Sequence, residues 1–137
     1  MNRQRLLRRL IPLFVAFVTT GAFADWTKVG HGITDFDLYA DPSTTDKEGD
    51  VVRMSDLLDL KWPRVVSGIS YLSIKTRHEY NCKDQKARIL AFSWYPKNMG
   101  NGVPVHTDDE AFEWEAVPAN TTSDILWNVA CKGTAAR

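Results

Sequence analysis

"SYLSIKTRHEYNCKDQKARILAFSWY", residues 70–95, is the stretch whose reading decides the fold. From Ser70 to Cys82, Leu72, Ile74, Thr76, His78, Tyr80 and Cys82 fall on one parity, and Tyr71, Ser73, Lys75, Arg77 and Glu79 on the other. A period of two is the pattern of a half-buried antiparallel strand. Lys83–Gln85 is a short polar turn, and Lys86–Tyr95 returns as a second strand with Leu90, Phe92 and Trp94 on one face. The pair reads as a β-hairpin with Cys82 at the end of its first strand.

Upstream, Trp26–Val29 and Ile33–Ala40 suggest two short strands around Gly30-His31-Gly32, and Asp41–Asp50 an acidic, turn-rich loop. Val51–Leu60 reads as a strand, although Leu57, Leu58 and Leu60 also fit a helical turn; Trp62-Pro63 is expected to break it. Downstream of the glycine turn Asn98–Gly102, Val103–Thr107 and Phe112–Val117 read as short strands around Asp108-Asp109-Glu110. After Pro118 the period changes. Thr121 or Thr122 is a fitting N-cap, Asp124 suits the positive end of a helix dipole, and Ile125, Leu126, Val129 and Ala130 form an apolar stripe. Gly133 is a C-terminal stop. A lone helix this short does not hold in water, so it must dock, and Cys131 lies near its docking face.

The N-terminus indicates export. Arg3, Arg5, Arg8 and Arg9 precede the apolar run Leu10–Val18, and Ala22-Phe23-Ala24 is a small-x-small cleavage pattern. Residues 1–24 read as a signal peptide and 25–137 as one domain. The apolar run is far short of the ~20 residues that span a bilayer, so no membrane span is expected in the mature chain. No cysteine follows the cleavage pattern to take a lipid. Removing the four arginines from 17 basic side chains leaves 13 against 17 acidic ones, a net charge near −4. An acidic surface excludes nucleic acid as a bulk partner.

The chain has two cysteines, Cys82 and Cys131. In an oxidising compartment they suggest one bridge, and the absence of Cys-x-x-Cys argues against a redox or metal role. Closing a loop of this length stabilises by roughly 4 kcal/mol in the chain-entropy model. Such a bridge would pin the terminal helix to the sheet.

No G-x-S-x-G, H-E-x-x-H or phosphate loop is present. Neither an enzyme nor a cofactor is expected. His78 reads as a hydrogen-bonded histidine at the sheet, His31 as a turn residue, and His106-x-Asp108-Asp109 as a solvated loop rather than a metal site. The candidate ligand-binding residues are the basic set Lys75, Arg77, Lys83, Lys86 and Arg88, suited to an acidic ligand, and the aromatics Trp62 and Tyr95 as partner anchors. Trp94 and Trp127 read as core.

The segments "SYLSIKTRHEYNC", "RILAFSWY", "MGNG", "WEAVPANT" and "ILWNVACKG", in this order with both cysteines in place, resemble the surface-adhesin protein E family of Gram-negative bacteria. The similarity runs over most of the mature chain. The resemblance implies an α+β fold: an antiparallel sheet of about six strands with one C-terminal helix packed on it and tethered by a disulfide, here Cys82–Cys131. It further implies a non-enzymatic exported protein that binds a protein or extracellular-matrix ligand, with a homodimer as one assembly. The family's adhesins are lipid-anchored, and this chain shows no lipid-attachment cysteine. A soluble periplasmic structural or inhibitor-type protein without a host ligand therefore stands beside the adhesin reading. The location is the periplasm or the cell surface.

Overall fold

The computed structural model describes residues 24–31 and 35–133. The signal-peptide reading, residues 1–24, lies outside them apart from Ala24, as does the expected strand start at Ile33. The sheet is antiparallel throughout and runs in chain order: β1 (Thr27–His31), β2 (Phe36–Glu48), β3 (Val51–Val66), β4 (Ile69–Asn81), β5 (Lys86–Tyr95) and β6 (His106–Asp108). A two-residue β7 (Glu115–Ala116) also pairs with β5, and the helix α1 (Thr122–Lys132) comes last. This is the expected six-stranded sheet with a C-terminal helix. Along β1 to β6 neighbouring strands are consecutive in sequence, so this meander needs no crossover.

The β4–β5 hairpin forms with the expected return strand. Asn81 Oδ1 accepts from the backbone N–H groups of Lys83 and Asp84 and shapes its turn. Two expectations fail nearby. The acidic stretch Asp41–Asp50 is not a loop, because β2 continues through it to Glu48. The register jumps between Asp41 and Asp46, so four residues including Pro42 stand opposite one residue of β3. A bulge of this kind absorbs a proline that a regular ladder would reject. Trp62-Pro63 likewise does not break β3, which runs to Val66. The pairing steps from Asp59↔Ser73 to Arg64↔Tyr71, so Pro63 sits in a second bulge where no ladder N–H is required. The last strands are shorter than expected. Pro104 interrupts the first, and residues 109–117 run beside β5 through isolated bonds, Phe112 N to Ile89 O and Val117 N to Gln85 O.

The helix matches its sequence signals. Thr121 Oγ1 accepts from Asp124 N, Asp124 lies in the first turn, Lys132 in the last, and Gly133 ends the helix at φ 67° with its N–H on the Val129 carbonyl. Leu126 and Trp127 bury against Val29, Leu38, Ala40, Met54 and Tyr80, which come from four strands of one sheet face. The Trp127 indole donates to the Asn81 carbonyl, so the buried ring is satisfied at its polar edge. Cys82 and Cys131 are bonded, with Cα atoms 5.5 Å apart and a sequence separation of 49. The bridge therefore fixes the last helical turn to the end of β4.

Tyr80 is the largest fully buried side chain among the described residues, 0% exposed, and its hydroxyl has no hydrogen-bond partner there. Burial first, and the charge of Asp56 second, push its pKa well above the ordinary 10.0. A raised pKa means that the folded state keeps a proton the unfolded chain releases. This stabilising term is complete below pH 10 and is lost as pH rises beyond it. Tyr80→Phe should therefore leave stability at pH 7 unchanged or raise it by up to about 1 kcal/mol, and should flatten the loss seen in urea melts above pH 10. Cys131→Ser should cost about 2–5 kcal/mol, read as a lower thermal midpoint, because the helix keeps its apolar stripe but loses its tether.

Candidate functional site

The sheet face turned away from the helix carries the residues of interest. Cross-strand register places Arg53, Ser55 and Asp59 of β3 opposite Glu79, Arg77 and Ser73 of β4, with Arg88, Ala91 and Tyr95 of β5 on the far side. Three separate devices manage this face.

At the hairpin end, Glu79 is only 4% exposed and lies between two arginines. Arg53 Nη2 reaches its Oε1 at 3.0 Å and Arg88 Nε its Oε2 at 2.6 Å. The Arg88 guanidinium stacks 4.6 Å from the Trp114 ring. A buried carboxylate is tolerable when both oxygens receive charged donors. At the other end, the turn Asn98–Gly100 folds over β3 and β4. Ser73 Oγ donates to the Lys97 carbonyl and accepts from Gly100 N, while Asp59 Oδ1 accepts from Met99 N and Asn98 Nδ2. Gly100 has φ 65°, where a side chain would be strained, and a Cβ there would have to push the end of Lys75 aside.

Between the two lies a cavity of about 310 Å³ whose lining includes Trp26, Asp41, Ser55, Lys75, Arg77 and Ser93. Arg77 Nη1 donates to the Thr44 carbonyl at 2.8 Å and to Ser55 Oγ at 3.4 Å, which holds the guanidinium in place. Lys75 Nζ sits 4.7 Å from the centre of the Tyr95 ring. Among the described residues neither cation has a carboxylate within ion-pair distance, in contrast to Arg53 and Arg88. Asp41, 1% exposed, accepts from Ser43 N and Ser43 Oγ and from the backbone N–H of Asp25 at 3.2 Å.

The structure thus divides the five candidate cations. Lys75 and Arg77 come together at the cavity, Arg88 is committed to Glu79, and Lys83 and Lys86 stand at the hairpin turn, away from the cavity. Tyr95 is engaged by Lys75 rather than free, and Trp62 stands apart on β3, 72% exposed. Trp127 is core, whereas Trp94 lies outside it, in a stack with Tyr71 at 4.6 Å and His106 at 4.5 Å. His78 is hydrogen-bonded through Nδ1 to Asp56 Oδ2 on the helix-side face. Sequence reading missed Trp26, Asp41, Ser55 and Ser93. Of these, Asp41 was within reach, since Asp-x-Ser at a bulge is an Asx-turn signal.

Chemically, the cavity presents two cations, the buried Asp41 carboxylate, hydroxyls and an indole. Among the described residues no group of three or more His, Cys, Asp or Glu side chains is placed to hold a metal ion, and no helix is long and apolar enough to cross a membrane.

Comparison with known proteins agrees with this architecture. The sequence profile of the family described as surface-adhesin protein E matches residues 26–132. No curated protein matches the sequence. Among solved structures, crystal form II of Haemophilus influenzae protein E superposes with a TM-score of 0.65 at 12% identity, covering 83% of this chain and 92% of that one. The selenomethionine form of the same protein gives 0.62 at 12% identity over 82% and 90%. Protein E from non-typeable Haemophilus influenzae gives 0.56 at 12% identity over 82% and 76%. At this identity the likeness shows the fold.

Glu79→Gln should lower stability by about 1–3 kcal/mol in urea unfolding, since it leaves two partly buried arginines facing a neutral amide. An unchanged midpoint would show that water serves the arginines equally well.

Proposed function

The chain belongs to the surface-adhesin protein E family, and on that premise we propose that it is an exported, non-enzymatic envelope protein that binds an acidic protein or matrix ligand through the face opposite the helix. The observation that carries this reading is the pair Lys75 and Arg77, held in a cavity and free of carboxylate partners among the described residues. Elsewhere on this face the arginines are neutralised at Glu79. A chain that pairs Arg53 and Arg88 so closely and leaves Lys75 and Arg77 without acidic partners keeps two cations available to an incoming anion. Lys83 and Lys86, on the neighbouring turn, extend the attraction outward and raise the encounter rate more than the affinity.

Export has support in the same region. Cleavage after Ala24 would turn the Asp25 backbone N–H into an α-ammonium, 3.2 Å from the buried Asp41 carboxylate. Processing would then supply that carboxylate with a charged partner at the rim of the cavity.

The test uses heparin, a glutamate-rich peptide and a coated basement-membrane extract as probes in surface plasmon resonance. Lys75→Ala with Arg77→Ala should weaken binding at least tenfold and flatten its salt dependence. Lys83→Ala with Lys86→Ala should chiefly slow association. Equal binding by the parent and the Lys75/Arg77 variant would remove the cavity from the reading. No binding of any probe by the parent would remove the acidic-ligand class.

A further inference from the structure

The end of the sheet remote from the disulfide carries a feature that ligand binding at the cavity does not use. Among the described residues β2 pairs with β3 as far as Leu60, with a last bond from Lys61 N to the Asp35 carbonyl, and β5 pairs with β4 only from Ser73. The β3–β4 hairpin continues past both neighbours as a two-stranded ribbon with rungs Arg64↔Tyr71, Val65↔Ser70 and Val66↔Ile69. Tyr71 is buried against Trp94, so the last two rungs and the turn form the free end, roughly 7 Å long. The ribbon closes on Ser67 (φ 50°) and Gly68 (φ 80°), a tight two-residue turn with both central residues left-handed. Residues 61–68 are all exposed. Trp62 is 72% exposed and Val65 is 65% exposed. Isolated two-stranded hairpins are marginal in water, and this one leaves Trp62, Val65 and Val66 exposed while Tyr71 turns in onto Trp94.

We propose that this hairpin tip is a peripheral membrane contact that inserts Trp62, Val65 and Val66 into the interface of a bilayer containing anionic phospholipid. Three observations select that occupant. First, Val65 and Val66 are adjacent in a strand, so they present to opposite faces of the ribbon. A ribbon that docks on a protein surface needs one apolar face, whereas one immersed in an apolar phase needs both. Second, between Asp59 and Glu79 the chain has no acidic residue, and Lys61 and Arg64 flank the tip. Neither forms an ion pair among the described residues. Basic side chains beside an apolar insertion meet the phosphate layer while the valines enter beneath it. Trp62 has the residue type that settles at the headgroup level. Third, a two-fold dimer through the tip would bring Lys61 and Arg64 against their own copies and bury far less than the ~1,200–2,000 Å² of a stable interface. The reach of the ribbon matches the ~5–10 Å depth of interfacial insertion. The inference stands independently of the ligand proposed for the cavity.

The experiment is co-sedimentation of the protein, purified from cells expressing the full chain, with vesicles of phosphatidylethanolamine and phosphatidylglycerol, and with phosphatidylcholine vesicles as the neutral comparison. Binding is expected to the anionic vesicles and to be at least tenfold weaker to the neutral ones. Brominated lipid should quench tryptophan emission in the parent and do so far less in Trp62→Phe. Trp62→Ser with Val65→Ser should abolish sedimentation without changing the thermal midpoint, since both side chains are exposed. Lys61→Glu with Arg64→Glu should remove the preference for phosphatidylglycerol. Absence of the parent from the vesicle pellet overturns the proposal, as does pelleting that persists in the Trp62/Val65 variant. A dimer that depends on Trp62, seen by sedimentation velocity without vesicle binding, overturns it in favour of a second copy of the chain.

Discussion

One eleven-residue helix has to cover a six-stranded sheet, and it cannot. The helix is about 16 Å long, while six strands at ~4.8 Å spacing span about 24 Å. It therefore buries part of one face, where Leu126 and Trp127 meet Leu38, Ala40, Met54 and Tyr80. A helix this short contributes too few apolar contacts to stay docked by burial alone, and the Cys82–Cys131 bridge limits how far it can depart when the contacts loosen. Everything on the opposite face is a response to having no second helix among the described residues. Ion pairing at Glu79, the folded-over turn at Asn98–Gly100 and the bulge at Asp41 each satisfy buried polar groups where an apolar layer would otherwise be needed. The cavity at Lys75 and Arg77 is the part of that face left open between them.

The hairpin at residues 70–95 and the terminal helix were legible in the sequence because their signals are local. Alternation in β4, the capping threonine and Gly133 each act within one element. The two failures share a physical cause. Pro42 and Pro63 each mark a place where a regular strand must stop, and a regular strand does stop there. The chain then forms a bulge instead of a loop, because the partner strand, β3 for Pro42 and β4 for Pro63, extends far enough to pair on both sides of the proline. That information resides in the partner strand, which no local window contains. The site shows the same division. Lys75 and Arg77 share a parity and could be placed together from spacing alone. Trp26, Asp41 and Ser55 arrive from other parts of the chain, through a register that the bulges displace. Glu79, by its local sequence, is one more polar residue on a polar face. Its burial arises from Arg53 and Arg88 standing opposite it on both neighbouring strands, and neither is adjacent to it in sequence.

The two ends of the sheet are built for opposite tasks. At the β4–β5 turn the chain is tied down by the disulfide, the helix and the indole bond to Asn81. At the β3–β4 turn no described residue covers the ribbon, and the valines remain exposed. An apolar hairpin in water is an aggregation hazard unless it is protected from pairing with another strand. Pro63 removes one donor, the bulge from Leu60 to Pro63 disturbs the edge, and Lys61 and Arg64 repel a like-charged copy. These devices oppose docking of a second strand, which requires ladder hydrogen bonds and charge compatibility. They do not oppose a fluid apolar phase bounded by anions, which requires neither. The protection around the tip is thus selective against the one class of partner and permissive toward the other. That selectivity, more than the exposure of Trp62 and Val65 itself, separates a surface kept for contact from a defect in packing.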